Sequence, residues 1–168
     1  MCVLSKDKIL KLINKGKIKI EPLNEKNIGP ASIDLVLGNE FRVFKKGGAI
    51  VAEEDVKPED YTTLVKAEKF TLKPKECIHG ITEERITLPE DVCGFLYGRS
   101  KYARMGIMIH ATASFIQPGI CNKQVLEIKN ISPRPIVLKH GLKICQLILM
   151  NMKGKGKYVG GFAKQEGL

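Results

Sequence analysis

The chain has no tryptophan, only 6% aromatic residues, and arginine at positions 42, 85, 99, 104 and 134 alone. A nucleic-acid surface in which basic residues alternate with stacking aromatics is therefore not expected. No apolar run approaches the roughly 20 residues that a membrane helix needs. The opening stretch Met1-Cys2-Val3-Leu4-Ser5-Lys6-Asp7 lacks the basic start, apolar segment and small-residue cleavage site of a secretory signal. The cysteines at 2, 77, 93, 121 and 145 are odd in number and never spaced C-x-x-C, so they read as reduced thiols. Cys77-Ile78-His79 offers two metal ligands but no second pair accompanies it, so neither zinc nor any other protein-bound metal is expected. What these absences leave is a cytoplasmic globular domain with no membrane partner.

A chain of 168 residues, 43% hydrophobic and 27% charged, fits one domain with its own core. Its net charge of +10, mostly lysine, favours polyanions, yet a lysine-rich surface serves solubility and ion-pair networks equally well. Charge alone thus chooses no ligand, and nucleic acid is the weaker candidate.

Ser5 stands where it can cap a helix over residues 6–15, in which Ile9, Leu10, Leu12 and Ile13 make one apolar stripe and Gly16 marks the stop. After it the pattern changes to period two. Residues 17–20 alternate until Pro22. Residues 33–37 and 41–44 read as two strands joined by a hairpin turn at Gly38-Asn39. Residues 53–61 are acidic, contain Pro58 and read as a surface loop. Further strands are expected over 62–72, 76–82, 92–97, 107–111, 124–129, 135–139 and 143–152, punctuated by proline and glycine. Many short strands of this kind argue an all-β domain, a sandwich or jelly roll, over residues 1–152. Residues 153–168 are rich in glycine and lysine. They read as a flexible tail, able to close over an anionic ligand because glycines let backbone N–H groups approach it.

Two places carry chemistry. Gly98-Arg99-Ser100-Lys101-Tyr102-Ala103-Arg104 follows a strand and opens a short helical turn; two arginines, a serine and free N–H groups make a phosphate cradle, or else a simple cap with surface charge. In Gln124-Val125-Leu126-Glu127-Ile128-Lys129, alternation sets Gln124, Leu126 and Ile128 on one face and Val125, Glu127 and Lys129 on the other. Glu127 is either exposed and paired with Lys129, or a general base facing a pocket bordered by the small, polar loop 112–119.

The succession Ala31-Ser32-Ile33-Asp34-Leu35, Gly98-Arg99-Ser100 with Ala103-Arg104, His110-Ala111-Thr112-Ala113, Pro118-Gly119, Leu126-Glu127 and Gly141 to Leu147 resembles the dCTP deaminase and dUTPase superfamily, and most closely its dCTP deaminase branch. The resemblance runs from Leu4 to about Met152. It implies a distorted dUTPase-like β-sandwich, one N-terminal helix, a short helix after the G-R-S motif, and a homotrimer with sites at subunit boundaries. It implies that Arg99, Ser100 and Arg104 hold the triphosphate and the catalytic water, that the Ala113 carbonyl helps hold that water, and that Glu127 shuttles its proton. Lys101, Thr112, Gln117, Val125, Leu126 and Gln146 complete the implied nucleotide contacts, with Tyr158, Lys164 and Gln165 contributed by the tail.

Hydrolytic deamination of dCTP to dUTP and ammonia needs only a polarised water and a shuttle. Zinc deaminases obtain hydroxide from the metal through H-x-E and P-C-x-x-C, which this chain lacks. Magnesium enters only with the triphosphate. The resemblance departs at Gln117, where the superfamily has an aspartate that activates water at the α-phosphate. Glutamine hydrogen-bonds but cannot accept a proton as a base. That weakens a dUTPase reading and a bifunctional one, which would need both acids. A member of the superfamily that binds nucleotide without catalysis is the remaining alternative, supported by Gln117 and by Ile120-Cys121-Asn122-Lys123, where the family favours an aromatic and glycine.

Overall fold

The computed structural model describes residues 2–53 and 55–168. The described strands are β1 (Cys2–Val3), β2 (Lys19–Glu21), β3 (Ile33–Phe44), β4 (Thr62–Lys66), β5 (Lys69–Leu72), β6 (Cys77–Thr87), β7 (Val92–Gly98), β8 (Ile107–Ile109), β9 (Phe115–Ile116), β10 (Cys121–Asn130), β11 (Ile136–Lys139) and β12 (Lys143–Asn151). The helices are α1 (Lys6–Asn14), α2 (Pro58–Tyr61) and α3 (Ser100–Ala103). The chain is all-β, as expected, and forms a distorted sandwich. One large curled sheet runs β8-β10-β6-β3-β12-β7-β9, with β1 on β12, β2 on β6 and β4 on β3; β5 and β11 pair separately.

β3 folds this sheet over. Its first residues pair with β12 and its last with β6 and β4, and its register against β6 shifts between Leu37 and Phe41. The hairpin expected at Gly38-Asn39 does not form, because the strand runs straight through. Gly38 serves a close approach instead of a reversal: a Cβ there would lie 3.0 Å from the Ile81 carbonyl oxygen.

Other expectations shift for local reasons. α1 starts and stops close to the expected places, but the Ser5 side chain makes no capping bond; Lys6 N–H donates to the Pro30 carbonyl at 2.8 Å. Residues 62–72 divide between two sheets as β4 and β5. The acidic loop closes with the short helix α2, which has proline in its first turn, where no helical N–H bond is lost. β1 and β9 are two residues long each, too short for a periodic signal.

The core lies between the two halves of the folded sheet and is almost wholly aliphatic: Leu35, Leu37, Ile78, Leu96, Leu126, Ile128 and Leu147 are fully buried with Phe41 among them. Each contributes about 1.5–3 kcal/mol by leaving water. β10 alternates as expected, with Gln124, Leu126 and Ile128 buried and Val125 and Glu127 half-buried on the opposite face. Among the described residues no helix is long and apolar enough to cross a membrane.

The tail is docked on this frame. Cys121 N–H and Lys123 N–H of β10 donate to the Ala163 and Gln165 carbonyls at 3.0 and 2.9 Å, and Tyr158 N–H donates to the Pro118 carbonyl at 3.0 Å. Asn122 Nδ2 donates to the Phe162 carbonyl at 2.6 Å, and Arg85 pairs with Glu166. Gly119, at φ +75°, lets the tail pass: a Cβ there would sit 3.0 Å from Lys157 Cγ.

Candidate active site around Glu127

On the outward face of β6 and β10, between the segment that follows β8 and the docked tail, lies a cavity of about 540 Å³. Glu127, Val125 and His79 form its floor, Ala113 and Gln117 one wall, and Tyr158, Phe162 and Gln165 of the tail another. Strand parity explains the floor: with Leu126 committed to the core, its neighbours Val125 and Glu127 must face away from it.

The carboxylate of Glu127 is held by one residue from two directions. Thr112 N–H donates to Oε2 at 3.0 Å and Thr112 Oγ1–H lies 3.1 Å from both carboxylate oxygens. The partner is thus Thr112, in place of the alternative, Lys129. His110 N–H donates to the Glu127 carbonyl at 2.9 Å, and His110 itself sits at φ +52°, turning the chain out of β8 into the loop that presents Thr112 and Ala113. Both ring nitrogens of His110 are buried without a partner among the described residues. Burial pushes its pKa down, opposed by the charge of Glu127. His79 is shifted down as well, chiefly by burial, with Glu127 pulling it up and Arg42 pushing it further down.

The residues of the G-R-S turn are elsewhere. Arg99, Ser100, Lys101 and Arg104 do not line this cavity. Ser100, Lys101 and Arg104 are exposed on and just after α3, with the Lys101 ammonium 6.0 Å from the Tyr102 ring centre. Arg99 is engaged: it pairs with Asp34 at 3.0 Å and donates to the Lys143 carbonyl at 2.9 Å, tying β7 to β3 and β12. Leu126 is fully buried in the core, so its side chain cannot meet a nucleotide. Gln146 lies on β12 opposite Asp34 and Tyr97, away from the cavity. Lys164 borders an adjoining pocket with Tyr158, Lys157 and Gly119.

In the sequence His79 stands only as half of a metal pair that has no second half, and His110 only as a member of the motif that runs to Ala113. His79 is the cross-strand neighbour of Glu127, a relation set by the pairing of β6 with β10 and absent from local spacing. Among the described residues no three His, Cys, Asp or Glu side chains converge as a metal site.

A family model described as dCTP deaminase-like matches residues 3–152. The chain belongs to the dCTP deaminase-like family. It is 38% identical over 151 residues to a protein of Dictyoglomus thermophilum named "dCTP deaminase, dUMP-forming", covering 86% of this chain and 78% of that one. A protein of the same name from Methanobrevibacter smithii is 33% identical over 175 residues, covering 98% of this chain and 88% of the relative. Among solved structures, the 2'-deoxycytidine 5'-triphosphate deaminase from Agrobacterium tumefaciens superposes with a TM-score of 0.67 at 23% identity over 88% of this chain. This chain spans only 47% of the length of that one. A dUTPase from phage phi11 of S. aureus gives a TM-score of 0.53 at 15% identity, covering 86% of this chain and 96% of the other. At these identities the two structures speak to the fold, which is the expected dUTPase-like sandwich. The names of these dCTP deaminase relatives state dUMP as their product, where the expectation for this chain was dUTP.

Proposed function

We propose that the chain is a hydrolytic deaminase of dCTP with Glu127 as proton shuttle. The observation that carries this reading is the carboxylate fixed by Thr112 at the floor of a cavity, in a chain of the dCTP deaminase-like family. Water held by the Ala113 carbonyl, the Ser100 hydroxyl and Glu127 attacks C4 of cytosine. Glu127 takes a proton from that water and delivers it to N3; the proton of the new C4 hydroxyl then passes to the departing amine, so one water is consumed and ammonia leaves. Arg104 and Lys101 bind the triphosphate with the magnesium it brings, and Arg99, through Asp34 and the Lys143 carbonyl, fixes the turn that presents them.

Because the G-R-S turn stays outside the cavity of its own chain, the reading needs a second copy to bring Ser100 and Arg104 to Glu127, as in the trimer that the resemblance implies. The tail over residues 153–168 acts as the lid, with Tyr158 and Gln165 at the cavity and Lys164 beside it. Gln117 and Val125 contact the sugar and base from the wall and floor.

Following the names of the relatives, we take dUMP, ammonia and pyrophosphate as the end products. A second reading, arrest at dUTP, is favoured by Gln117, which leaves no carboxylate at that point of the wall to activate water at the α-phosphate. The test is to supply dCTP and dUTP separately with magnesium and to separate the products. dUMP from both substrates supports the first reading, and dUTP accumulating from dCTP supports the second. No product from either, with nucleotide still bound, would mean that this member has lost catalysis.

A further inference from the structure

The face of the sheet that carries Glu127 bears a row of three ionisable side chains on three adjacent strands. His79 of β6 is the cross-strand partner of Glu127 on β10 and, on its other side, of Arg42 on β3. Directly opposed residues of an antiparallel pair have Cβ atoms about 4.5–5.5 Å apart and share a face. The row therefore reads guanidinium, imidazole, carboxylate.

Its two ends are held from outside. Arg42 donates to Glu59 at 2.5 Å, to the Leu168 carbonyl at 2.9 Å and to Thr62 at 3.4 Å, while Glu127 accepts from Thr112. The middle is aimed by packing: the Phe44 ring meets the His79 ring edge-on at 5.3 Å and 71°, and Phe44 itself stacks on Tyr61 at 5.9 Å. Thr112 covers one flank of the carboxylate, and the imidazole is its neighbour along the sheet.

We infer that His79 is a positioning residue for the proton transfer at Glu127: as a neutral ring it leaves the carboxylate free, and as a cation it captures the carboxylate in an ion pair. The inference rests on the reading of Glu127 as the shuttle. The groups that face His79 are Arg42 of β3 with its partner Glu59, Tyr61 of α2, Glu127 of β10 and His110 after β8; Cys77 and Lys129 lie one pair further along the same face. Burial and the Arg42 charge keep the imidazole neutral near pH 7, since both lower its pKa, and the Glu127 charge opposes them. The cation thus forms only on acidification. Once formed, its N–H donates to a carboxylate oxygen that then cannot take a proton from water.

Three measurements test this. In pH profiles of kcat for dCTP deamination, each normalised to its own maximum, the acid-side fall in His79→Gln should move to lower pH by about half a unit or more relative to the unaltered protein. His79→Lys, a cation at every working pH, should lower kcat at pH 7.5 by about tenfold or more while dCTP still binds. In an NMR titration of the His79 ring, which needs no turnover, Glu127→Gln should lower the midpoint by about half a unit. Superimposable profiles for the unaltered protein and His79→Gln, or a midpoint that ignores Glu127→Gln, would overturn the inference. Absence of dCTP deamination by the unaltered protein would instead sink the functional reading beneath it.

Discussion

The wall around Glu127 and the turn from Gly98 to Arg104 are built in opposite ways. Around Glu127 the carboxylate is fixed from within the chain: Thr112 binds it, His110 N–H ties the loop back to β10, and the tail hydrogen-bonds to Cys121 and Lys123. On the turn, Arg99 is engaged with Asp34 and Lys143, while Ser100, Lys101 and Arg104 stand exposed on and just after a helix of four residues. The first region is closed by bonds within the chain, and the second leaves its polar groups open to solvent. On the proposed reading the difference has a function: one copy supplies a rigid proton carrier at Glu127, and the next copy supplies the hydroxyl of Ser100 and the charge of Arg104.

The sharpest way to break this contrast is Glu127→Gln. It keeps shape and hydrogen bonding to Thr112 and removes only the base, so deamination should fall about a hundredfold or more while dCTP binding persists. Parallel ammonia-release and binding assays read the two effects, and unchanged turnover would remove Glu127 from the chemistry. The adjacent residue should behave in the reverse sense. Leu126→Ala leaves a hole in the core and should cost about 2–5 kcal/mol in denaturant unfolding, with the nucleotide contacts of the remaining folded protein unaltered.

Within the turn, Arg104→Ala should weaken triphosphate binding by about tenfold or more and leave the Tm nearly unchanged, because an exposed arginine contributes little to folding. Arg99→Ala should do the opposite and lower stability by about 1–3 kcal/mol through the loss of its bonds to Asp34 and the Lys143 carbonyl. Calorimetry and thermal melts on the pair separate the roles. If Arg104→Ala melts early and still binds, the exposed half of the comparison is wrong.

Most strands and the two faces of β10 were legible in the sequence because period two survives wherever one face is buried, as Leu126 and Ile128 against Glu127 illustrate. Gly38 was misread because the same residue type serves both a tight turn and a close backbone approach, and only the neighbouring Ile81 carbonyl tells them apart. Glu127, Thr112 and Ala113 were legible as members of a motif, and Gln117 as its departure. The engagement of Arg99 was not, since Asp34 lies 65 positions away and meets it only through the pairing of β12 with both β3 and β7. His79 was hidden for the same reason: a cross-strand row leaves no trace in local spacing.

The divided site can be tested by mixing two damaged proteins. Assayed at dCTP well below the Kd of the Arg104→Ala protein, Glu127→Gln and Arg104→Ala are each expected to retain about a tenth of normal activity or less. Unfolded together in equal amounts and refolded into mixed oligomers, they should regain up to about a quarter of normal dCTP deamination, the share of boundaries at which an intact Glu127 meets an intact Arg104. A mixture no more active than its two components, in oligomers shown to contain both chains, would contradict a site shared between copies.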